Sequence, residues 1–310
     1  MATRGSSGRS CVLAVRKPSG MSSHDVVNRC RSAFAEKRVG HFGTLDPLAE
    51  GVMLVGVGPA ARLNASLVEH DKCYVARVVF GQFRNTDDAE GEVIGGGVCG
   101  PDLLDEEFAR TTLAGFVGTQ MQMPPQFSAI KRGGVTAYEA ARKGESIELD
   151  AREITVFAAD LVSLEGECGN PDNPPVWNVR FAVSKGTYIR SLARDLGART
   201  GAGAYLGGLM RETLGDIGLE DCASLDALAE AKLLDPVALL DFPVVTPDAA
   251  MLSRLENGNA LSAPAEASAW EDGAPVSIAD KDTLFAVYRY NKMRNRLDCD
   301  CKFSVGVERG

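Results

Sequence analysis

The segment from Trp177 to Ser184 alternates between large apolar side chains and polar or small ones, and this pattern strongly constrains the fold. Successive side chains of a β-strand point to opposite faces, so the alternation predicts a half-buried strand that ends at Ser184. Apolar residues at helical spacing follow directly, at Ile189, Leu192, Ala193 and Leu196. They predict a helix that stops near the glycines at 197 and 201.

Helix and strand patterns follow one another irregularly through the first 240 residues. Ser22 and Asp25 have the spacing of a capping box at the start of a helix predicted over 23–35. β-forming side chains predict a strand over 74–80, and helical spacing predicts a further helix over 104–116. This mixture favours an α+β fold, with a mixed or antiparallel central sheet and flanking helices, over regular βαβ winding.

The character of the chain changes near residue 240. Prolines become frequent, and short strands are predicted around 274–278, 284–290 and 302–307. We therefore predict two domains, residues 1–240 and a small β-rich domain over 241–310. Within the first domain, two adjacent prolines interrupt regular structure in a segment of about 120–150.

The composition is typical of a globular protein, since 45% of the 310 residues are hydrophobic. No apolar run approaches the roughly 18 residues that a membrane span needs, and the N-terminus lacks the apolar stretch of a secretory signal. We therefore expect a cytoplasmic protein without a membrane partner. The eight cysteines include no CxxC pair, which favours reduced thiols over a zinc site or a disulfide framework.

The net charge of −9 argues against a nucleic-acid partner, but the distribution of charge argues for one. Residues 1–62 hold nine basic side chains against four acidic ones. A second basic cluster near the C-terminus, Arg289, Lys292, Arg294 and Arg296, is interleaved with Tyr288 and Tyr290. Such a run is also typical of a solvated strand edge, yet two basic ends around an acidic middle suit an extended RNA.

The segment from Gly40 to Gly51 reads GHFGTLDPLAEG and contains the candidate nucleophile, Asp46. Pro47 restricts the backbone of Asp46 to extended or turn conformations, and the glycines permit close approach of a ligand. An Asp-Pro pair is also an ordinary start of a turn, so the local chemistry leaves both interpretations open. The apolar run 52–55 follows immediately and predicts a buried strand beside the loop.

This loop resembles the GHxGxLDPxAxG motif of the TruB family of pseudouridine synthases. Four further blocks resemble motifs of the same family, in the same order: residues 16–23 its DKPxGxxS, 71–74 its DKxY, 125–131 its PPxxSAxK and 184–190 its SKGTYIR. Residues 120–150 resemble the thumb insertion of the family. The resemblance implies the pseudouridine synthase fold, with a PUA-like RNA-binding domain in the place of residues 241–310.

The chain departs from the family pattern at several positions. Arg16 stands where the family usually has an acid, and Phe42 and Glu50 replace threonines of the nucleophile loop. Residues 84–88 lose one acid of the motif TDTxD. None of these changes removes a group that the resemblance makes catalytic.

The resemblance implies an isomerase that converts the T-loop uridine at position 55 of tRNA into pseudouridine. Such a reaction breaks the N-glycosidic bond and rejoins the same base through carbon, so it needs no metal, nucleotide or redox cofactor. It needs a nucleophile that holds one fragment while the base rotates. Reaching the uridine also requires base flipping, which costs a few kcal/mol in lost stacking and pairing.

The resemblance gives Asp46 the role of nucleophile, with attack on the uracil ring or on the ribose both open. Arg190 would pair with Asp46 and keep it ionised, because a nearby cation favours the charged carboxylate. Tyr74 would stack on the target base and serve in proton transfer. By residue pattern alone, Tyr74 is also typical of a core aromatic, and Arg190 of a residue at the start of a helix.

Seven more residues are expected to contact the substrate. Tyr188 and Leu209 would line the pocket, and His41 would fill the space that the flipped nucleotide leaves. Lys17 would grip RNA phosphates, together with Arg38, Lys131 and Arg132. A lone histidine such as His41 is also typical of a purely structural residue.

The expected partner is the T arm of tRNA, bound by a monomer. A catalytically silent tRNA-binding or folding module is the alternative from another class, since a basic groove is enough for binding. A guide-RNA-dependent relative is a third interpretation. The thumb segment and the absence of a lysine-rich tail argue against a guide RNA.

Overall fold

We describe the protein from a computed structural model, which covers residues 7–67, 70–128, 130–132, 134–142, 144 and 147–310. The helices are α1 Ser23–Phe34, α2 Asn64–Leu67, α3 Glu106–Ala114, α4 Ala137–Arg142, α5 Ile189–Thr200, α6 Pro236–Leu240 and α7 Ala249–Leu255. The strands are β1 Cys11–Lys17, β2 Val39–Phe42, β3 Ala49–Val57, β4 Lys72–Phe80, β5 Gln82–Arg84, β6 Val93–Gly96, β7 Gly118–Gln122, β8 Lys131–Arg132, β9 Val135–Thr136, β10 Arg152–Glu165, β11 Val176–Val183, β12 Ala204–Leu214, β13 Leu233–Leu234, β14 Val244–Val245, β15 Leu261–Ser262, β16 Pro275–Ala279, β17 Thr283–Asn291 and β18 Arg296–Glu308.

The start of α1 and the end of α5 lie at residues that the sequence indicated. Ser22 caps α1 through a capping box, in which its Oγ accepts from the Asp25 amide at 3.2 Å. The helix ends at Ala35, which has a left-handed backbone with φ of 50°. Helix α5 ends at Gly201 with φ of 72°, a conformation that glycine adopts without steric cost. Helix α1 lies within one residue of its predicted bounds, and α5 ends beside the second of the two glycines predicted to stop it.

By internal contacts the chain forms two compact units. Unit 1 contains the described residues within 1–47, 52–69 and 217–310, and unit 2 those within 48–51 and 70–216. The predicted boundary at residue 240 does not coincide with a boundary of these units. The division into domains of residues 1–240 and 241–310 therefore stays a prediction.

Unit 1 contains the N-terminal strands and helix α1. Its strands run in the order β13-β1-β3, and β2 pairs antiparallel with β3. The apolar side of α1 packs on this sheet and builds a core with members from β1, α1 and β3, including Leu13, Val26, Cys30 and Val55. Burial of this apolar face stabilises a helix of only 12 residues, which would be marginal in isolation.

The C-terminal part of unit 1 has a sheet and a core of its own. The strand order of this sheet is β14-β16-β17-β18-β15, and α7 precedes β15 in the chain. Side chains from β16, β17 and β18 form the core, which includes Ile278, Ala286, Tyr288 and Leu297. The β-rich C-terminal region predicted from the sequence is therefore confirmed.

Unit 2 is built on a mixed sheet. The first residues of β3, Ala49 to Gly51, pair in parallel with Leu209 to Arg211 of β12. The order continues through β4, β11, β10 and β7, and each of these pairs is antiparallel. Helix α5 packs against β12 and β4, and α3 against β10. This arrangement confirms the predicted α+β class with a mixed sheet and flanking helices.

Strand β11 of unit 2 matches the strand predicted from alternating residues. Strand β11 buries Trp177, Val179, Phe181 and Val183, which are the apolar members of that alternation. The Trp177 ring lies 4.7 Å from the ring of Phe80, and its indole N–H donates to the carbonyl of Leu103 at 2.7 Å. A buried indole needs such an acceptor, because an unpaired polar group in the core is costly.

Among the residues that the model covers, no helix is long and apolar enough to cross a membrane.

Gly51 carries a conformation that other residues tolerate poorly. Its φ is +109°, and a Cβ at this position would overlap the carbonyl oxygen of Arg211 on the paired strand. We expect Gly51→Ala to lower the free energy of unfolding by more than ~3 kcal/mol, since backbone strain and a clash with backbone add together. Chemical denaturation measures this loss.

Gly118 is a matched control, with φ of +118° and no atom within 4 Å of an added Cβ. Gly118→Ala should cost only the conformational strain, about 1–2 kcal/mol. Equal losses for the two variants would show that the close approach of Arg211 does not matter.

Candidate active site

Asp46 lies in the loop between β2 and β3, and both of its neighbours in the chain are held by hydrogen bonds. The Ser23 hydroxyl donates to the Leu45 carbonyl and accepts from the Leu45 amide, both at 2.9 Å. The Pro47 carbonyl accepts from the Gly20 amide at 2.8 Å. Asp46 itself is half-buried, so its carboxylate is presented from a fixed backbone without full desolvation.

Lys17, at the end of β1, also holds this loop. Its side chain is 0% exposed, and its Nζ donates to the carbonyls of Pro18 at 3.0 Å and Pro47 at 3.3 Å. A buried ammonium is tolerated where oxygens replace its hydration shell. The buried ammonium points at the loop. The phosphate contact expected for Lys17 from the sequence stays a prediction.

His41 lies on β2, directly opposite Val55 of β3, and is half-buried. Strand β2 ends at the next residue, Phe42, whose side chain is fully buried. His41 and Asp46 are five residues apart in the chain and belong to the same unit.

Tyr74 and Leu209 lie on adjacent strands of unit 2. Tyr74 is 6% exposed and pairs in register with Arg211 of β12 and Phe181 of β11. Leu209 is half-buried and pairs with Ala49 of β3 and Ala76 of β4. The sequence alone allowed Tyr74 to be a core aromatic, and its ring is indeed buried within the sheet layer.

Arg190 lies in the first turn of α5 and is 6% exposed. Its guanidinium donates to the Thr86 carbonyl at 3.2 Å and the Phe127 carbonyl at 3.0 Å. It also forms an ion pair with Asp88 at 3.4 Å, and Asp88 is 3% exposed. A buried guanidinium is stable only with such a set of acceptors and a compensating charge.

Asp88 is a site residue that the sequence analysis did not single out. The Thr86 hydroxyl and the Glu90 amide donate to its carboxylate at 2.6 Å and 3.1 Å, which fixes it in a tight turn. Its signal in the sequence is the adjacent acid pair at 87–88 within a polar turn.

A second acid–base network continues along α5. Arg194 pairs with Asp87 at 3.0 Å and Asp195 at 2.9 Å, and it donates to the Met123 carbonyl at 2.9 Å. Burial raises the pKa of Asp87 to about 6, against the opposing effect of Arg194 and then Arg190. Burial likewise raises the pKa of Asp195. The 86–88 turn is therefore tied to α5 by two arginines.

Tyr188 occupies the position just before α5 and is half-buried. Its position in the chain places it two residues before Arg190. Of the predicted site residues, Lys17, His41 and Asp46 belong to unit 1, and Tyr74, Tyr188, Arg190 and Leu209 to unit 2. The pairing of Asp46 with Arg190 joins residues of different units and stays a prediction.

The C-terminal basic cluster differs from the expected RNA-binding surface. Tyr288 and Tyr290 are buried in the core of the C-terminal sheet, so their rings are not interleaved with exposed cations. Arg289 pairs with Asp300 at 3.0 Å and Arg296 with Asp298 at 2.8 Å. Because two of the four basic side chains pair with aspartates, the cluster has less uncompensated positive charge for binding RNA than the sequence suggested.

The structure describes the side chains of two of the three other residues expected to contact phosphates. Arg38 is exposed, and Arg132 is exposed and pairs with Glu148 at 3.7 Å. The side chain of Lys131 lies outside the described part of the structure.

The fold has close counterparts among solved structures. A chain of the archaeal box H/ACA sRNP Nop10–Cbf5 complex superposes with a TM-score of 0.66 over 94% of this chain and 86% of its own, at 20% identity. A chain of a Cbf5–Nop10–Gar1 complex gives a TM-score of 0.66 over 94% and 84%, at 22% identity. At these identities the likeness concerns the fold alone.

The sequence comparisons decide the family. Residues 31–189 match the model of the TruB family pseudouridylate synthase, N-terminal domain. The tRNA pseudouridine synthase B of Mycobacteroides abscessus is 41% identical over 283 residues, 90% of this chain and 92% of its own. That of Deinococcus radiodurans is 38% identical over 298 residues, 87% and 96%. The chain belongs to the TruB family, which confirms the resemblance drawn from its motifs.

The buried Arg190–Asp88 pair generates a prediction about stability. We expect Asp88→Asn to lower the free energy of unfolding of the protein by about 3 kcal/mol, because it removes the negative charge beside a buried guanidinium. Urea denaturation monitors the change.

The Arg110–Glu106 pair is a suitable control, because both of its side chains are more than half exposed. Glu106→Gln should change the same quantity by less than ~0.5 kcal/mol. A similarly small effect of Asp88→Asn would mean that Asp88 contributes nothing to holding Arg190.

Proposed function

We propose that this protein isomerises a uridine of tRNA to pseudouridine. The observation that carries the proposal is Asp46, a half-buried carboxylate on a loop whose backbone is fixed on both sides by Ser23, Gly20 and Lys17. A nucleophile needs such a fixed approach to its target atom. Relatives named tRNA pseudouridine synthase B, about 40% identical over most of their length, support the assignment.

In the proposed reaction, the bond between N1 of the base and C1′ of the ribose breaks and a bond between C5 and C1′ forms. The Asp46 carboxylate bonds covalently to one fragment while the base rotates, and this bond breaks again before the product leaves, which returns the carboxylate. The proton lost from C5 is balanced by the proton gained at N1. Nothing is oxidised or hydrolysed overall, and the proposal includes no cofactor.

The other site residues have supporting roles in this proposal. Arg190 keeps Asp46 anionic, and Tyr74 stacks on the flipped base and takes part in transfer of the C5 proton. Tyr188 and Leu209 contact the base as walls of the pocket. His41 fills the space that the flipped nucleotide leaves in the RNA, which recovers part of the lost stacking.

We propose the T arm of tRNA as the substrate, with the uridine at position 55 as the target. The exposed cations Arg29, Lys37 and Arg38 at α1 and just beyond it support contact with RNA phosphates. The protein acts in the cytoplasm as a monomer and without a guide RNA in this proposal. Size-exclusion chromatography of the protein with and without tRNA tests the stoichiometry.

Replacing Asp46 tests the nucleophile. We expect Asp46→Asn to bind unmodified tRNA transcript normally and to form no pseudouridine, because an amide cannot form the covalent bond. Mass spectrometry of the RNA digest measures product. Asp172→Asn, at an exposed turn, is the control and should retain the wild-type rate.

Product from Asp46→Asn at the wild-type rate would refute the nucleophile assignment. Wild-type protein that binds tRNA but never forms pseudouridine would instead identify a silent binding module.

Lys17 gives a second test. Its burial and its bond to the Pro47 carbonyl support a role in holding the loop, whereas the sequence suggested a contact with RNA phosphates. Lys17→Met should lower kcat by about tenfold or more through misplacement of Asp46, while the Kd for tRNA stays within about twofold. Arg38→Met, which removes an exposed cation, should do the opposite: weaker, more salt-dependent tRNA binding with little change in kcat. Weaker tRNA binding by Lys17→Met at unchanged kcat would instead support the phosphate role and contradict the role in holding the loop. Thermal melting confirms that both variants are folded.

A further inference from the structure

Gln122 holds the backbone of Tyr188 with both ends of its amide. Its Nε2 donates to the Tyr188 carbonyl at 3.1 Å, and its Oε1 accepts from the Tyr188 amide at 2.9 Å. Gln122 is the last residue of β7 and is 2% exposed. A two-point contact from a buried, packed side chain fixes both the position and the orientation of the peptide that it binds.

Arg152 lies beside the same tyrosine. It is the first residue of β10 and pairs in register with Gln122 of β7. Its guanidinium lies 5.5 Å from the centroid of the Tyr188 ring, a distance typical of a cation–π contact. Gln122 and Arg152 thus contact different parts of Tyr188: Gln122 binds its backbone and Arg152 its ring.

The Arg152 side chain has few polar partners among the described residues. Among the residues that the structure covers, the Arg152 side chain has no ion pair, and its buried Nε has no hydrogen-bond partner. A half-buried arginine would normally be compensated by a carboxylate. Within the described residues, the guanidinium of Arg152 contacts the Tyr188 ring and no charged partner.

The position of the pair in the chain adds a further point. Strand β7 ends at Gln122 and β10 begins at Arg152, so the segment from 123 to 151 leaves and rejoins the sheet at these two residues. Met123, the first residue of that segment, accepts from Ser191 and Arg194 of α5, both at 2.9 Å. The base of the segment is therefore bonded to the start of the helix that carries Arg190.

We propose that Gln122 and Arg152 are positioning residues for Tyr188, and that through Tyr188 they set the rate of the isomerisation. The inference rests on the proposed function, in which Tyr188 contacts the uridine. Neither residue touches the substrate in this proposal. Gln122 fixes where the Tyr188 backbone lies, and Arg152 restricts the tilt of its ring.

Gln122→Met tests the role of the amide, since it keeps the length of the side chain and removes both hydrogen bonds. We expect kcat on unmodified tRNA transcript to fall about 10-fold to 100-fold, the cost of a misplaced contact group, with the Kd for tRNA within about twofold. Gln122→Glu keeps the acceptor for the Tyr188 amide and loses the donor. It provides a second, isosteric variant should Gln122→Met fold poorly, and should show an intermediate loss of kcat.

Gln120→Met is the matched control. Gln120 lies two residues earlier on the same strand and donates to the Phe116 carbonyl at 2.8 Å, away from Tyr188 in sequence and in bonding. It should retain the wild-type kcat. A loss as large as that of Gln122→Met would show that any glutamine of β7 matters and would overturn the assignment.

Arg152 is tested in the same assay. Arg152→Met should lower kcat about threefold to tenfold, a smaller effect because one weak contact is lost. Arg152→Lys keeps a cation near the ring and should recover most of the activity. Arg199→Met is its control, since Arg199 lies 5.4 Å from the Phe116 ring in an equivalent contact elsewhere.

A double-mutant cycle with Tyr188→Leu separates positioning from general stability. If Gln122 acts through Tyr188, then Gln122→Met should change kcat less than about twofold once Tyr188 is already leucine. A full loss in that background would overturn the inference. If Tyr188→Leu alone leaves kcat unchanged, the proposed role of Tyr188 has failed, whereas a loss for Tyr188→Leu without one for Gln122→Met refutes the positioning alone.

Discussion

The burial of two cations, Lys17 in unit 1 and Arg190 in unit 2, sets the local geometry around the candidate site residues of each unit. A charge removed from water must be surrounded by oxygens, or the folded state loses several kcal/mol. Lys17 meets this need with the carbonyls of Pro18 and Pro47, and Arg190 with two carbonyls and the Asp88 carboxylate. Each cation therefore draws together chain segments that are distant in sequence, and those segments carry the groups proposed for the chemistry.

Hydrogen bonds to backbone hold the residues beside the proposed nucleophile in unit 1 and the proposed contact residues in unit 2. Asp46 is flanked by Leu45 and Pro47, and both neighbours are held by hydrogen bonds to residues that precede or begin α1. In unit 2, Arg190 and Tyr188 are held by contacts to the 86–88 turn and to β7. In both units these polar contacts to backbone fix the position of the groups proposed for the chemistry.

Much of the fold was predictable because its signals are local. The alternation at 177–183 gave β11, and the Ser22–Asp25 box gave α1. The C-terminal tyrosines show where a local signal was present and overlooked. Leu284, Ala286, Tyr288 and Tyr290 alternate with period two, which already indicates that the two rings share the buried face of β17. The period of two predicts the burial of Tyr288 and Tyr290 correctly, whereas the neighbouring basic residues suggest an exposed surface.

The sequence by itself determined the order and type of most elements, the family, and the candidate carboxylate Asp46, since helix and strand periods and contiguous motifs depend on neighbours a few residues apart. The tertiary structure alone decided which charges are buried and what compensates them. Asp88 and Arg190 are 102 residues apart in the chain, and Gln122 and Tyr188 are 66 apart. Desolvation acts only once distant segments have packed, so no local pattern could show that Lys17 holds a loop or that Gln122 holds a tyrosine.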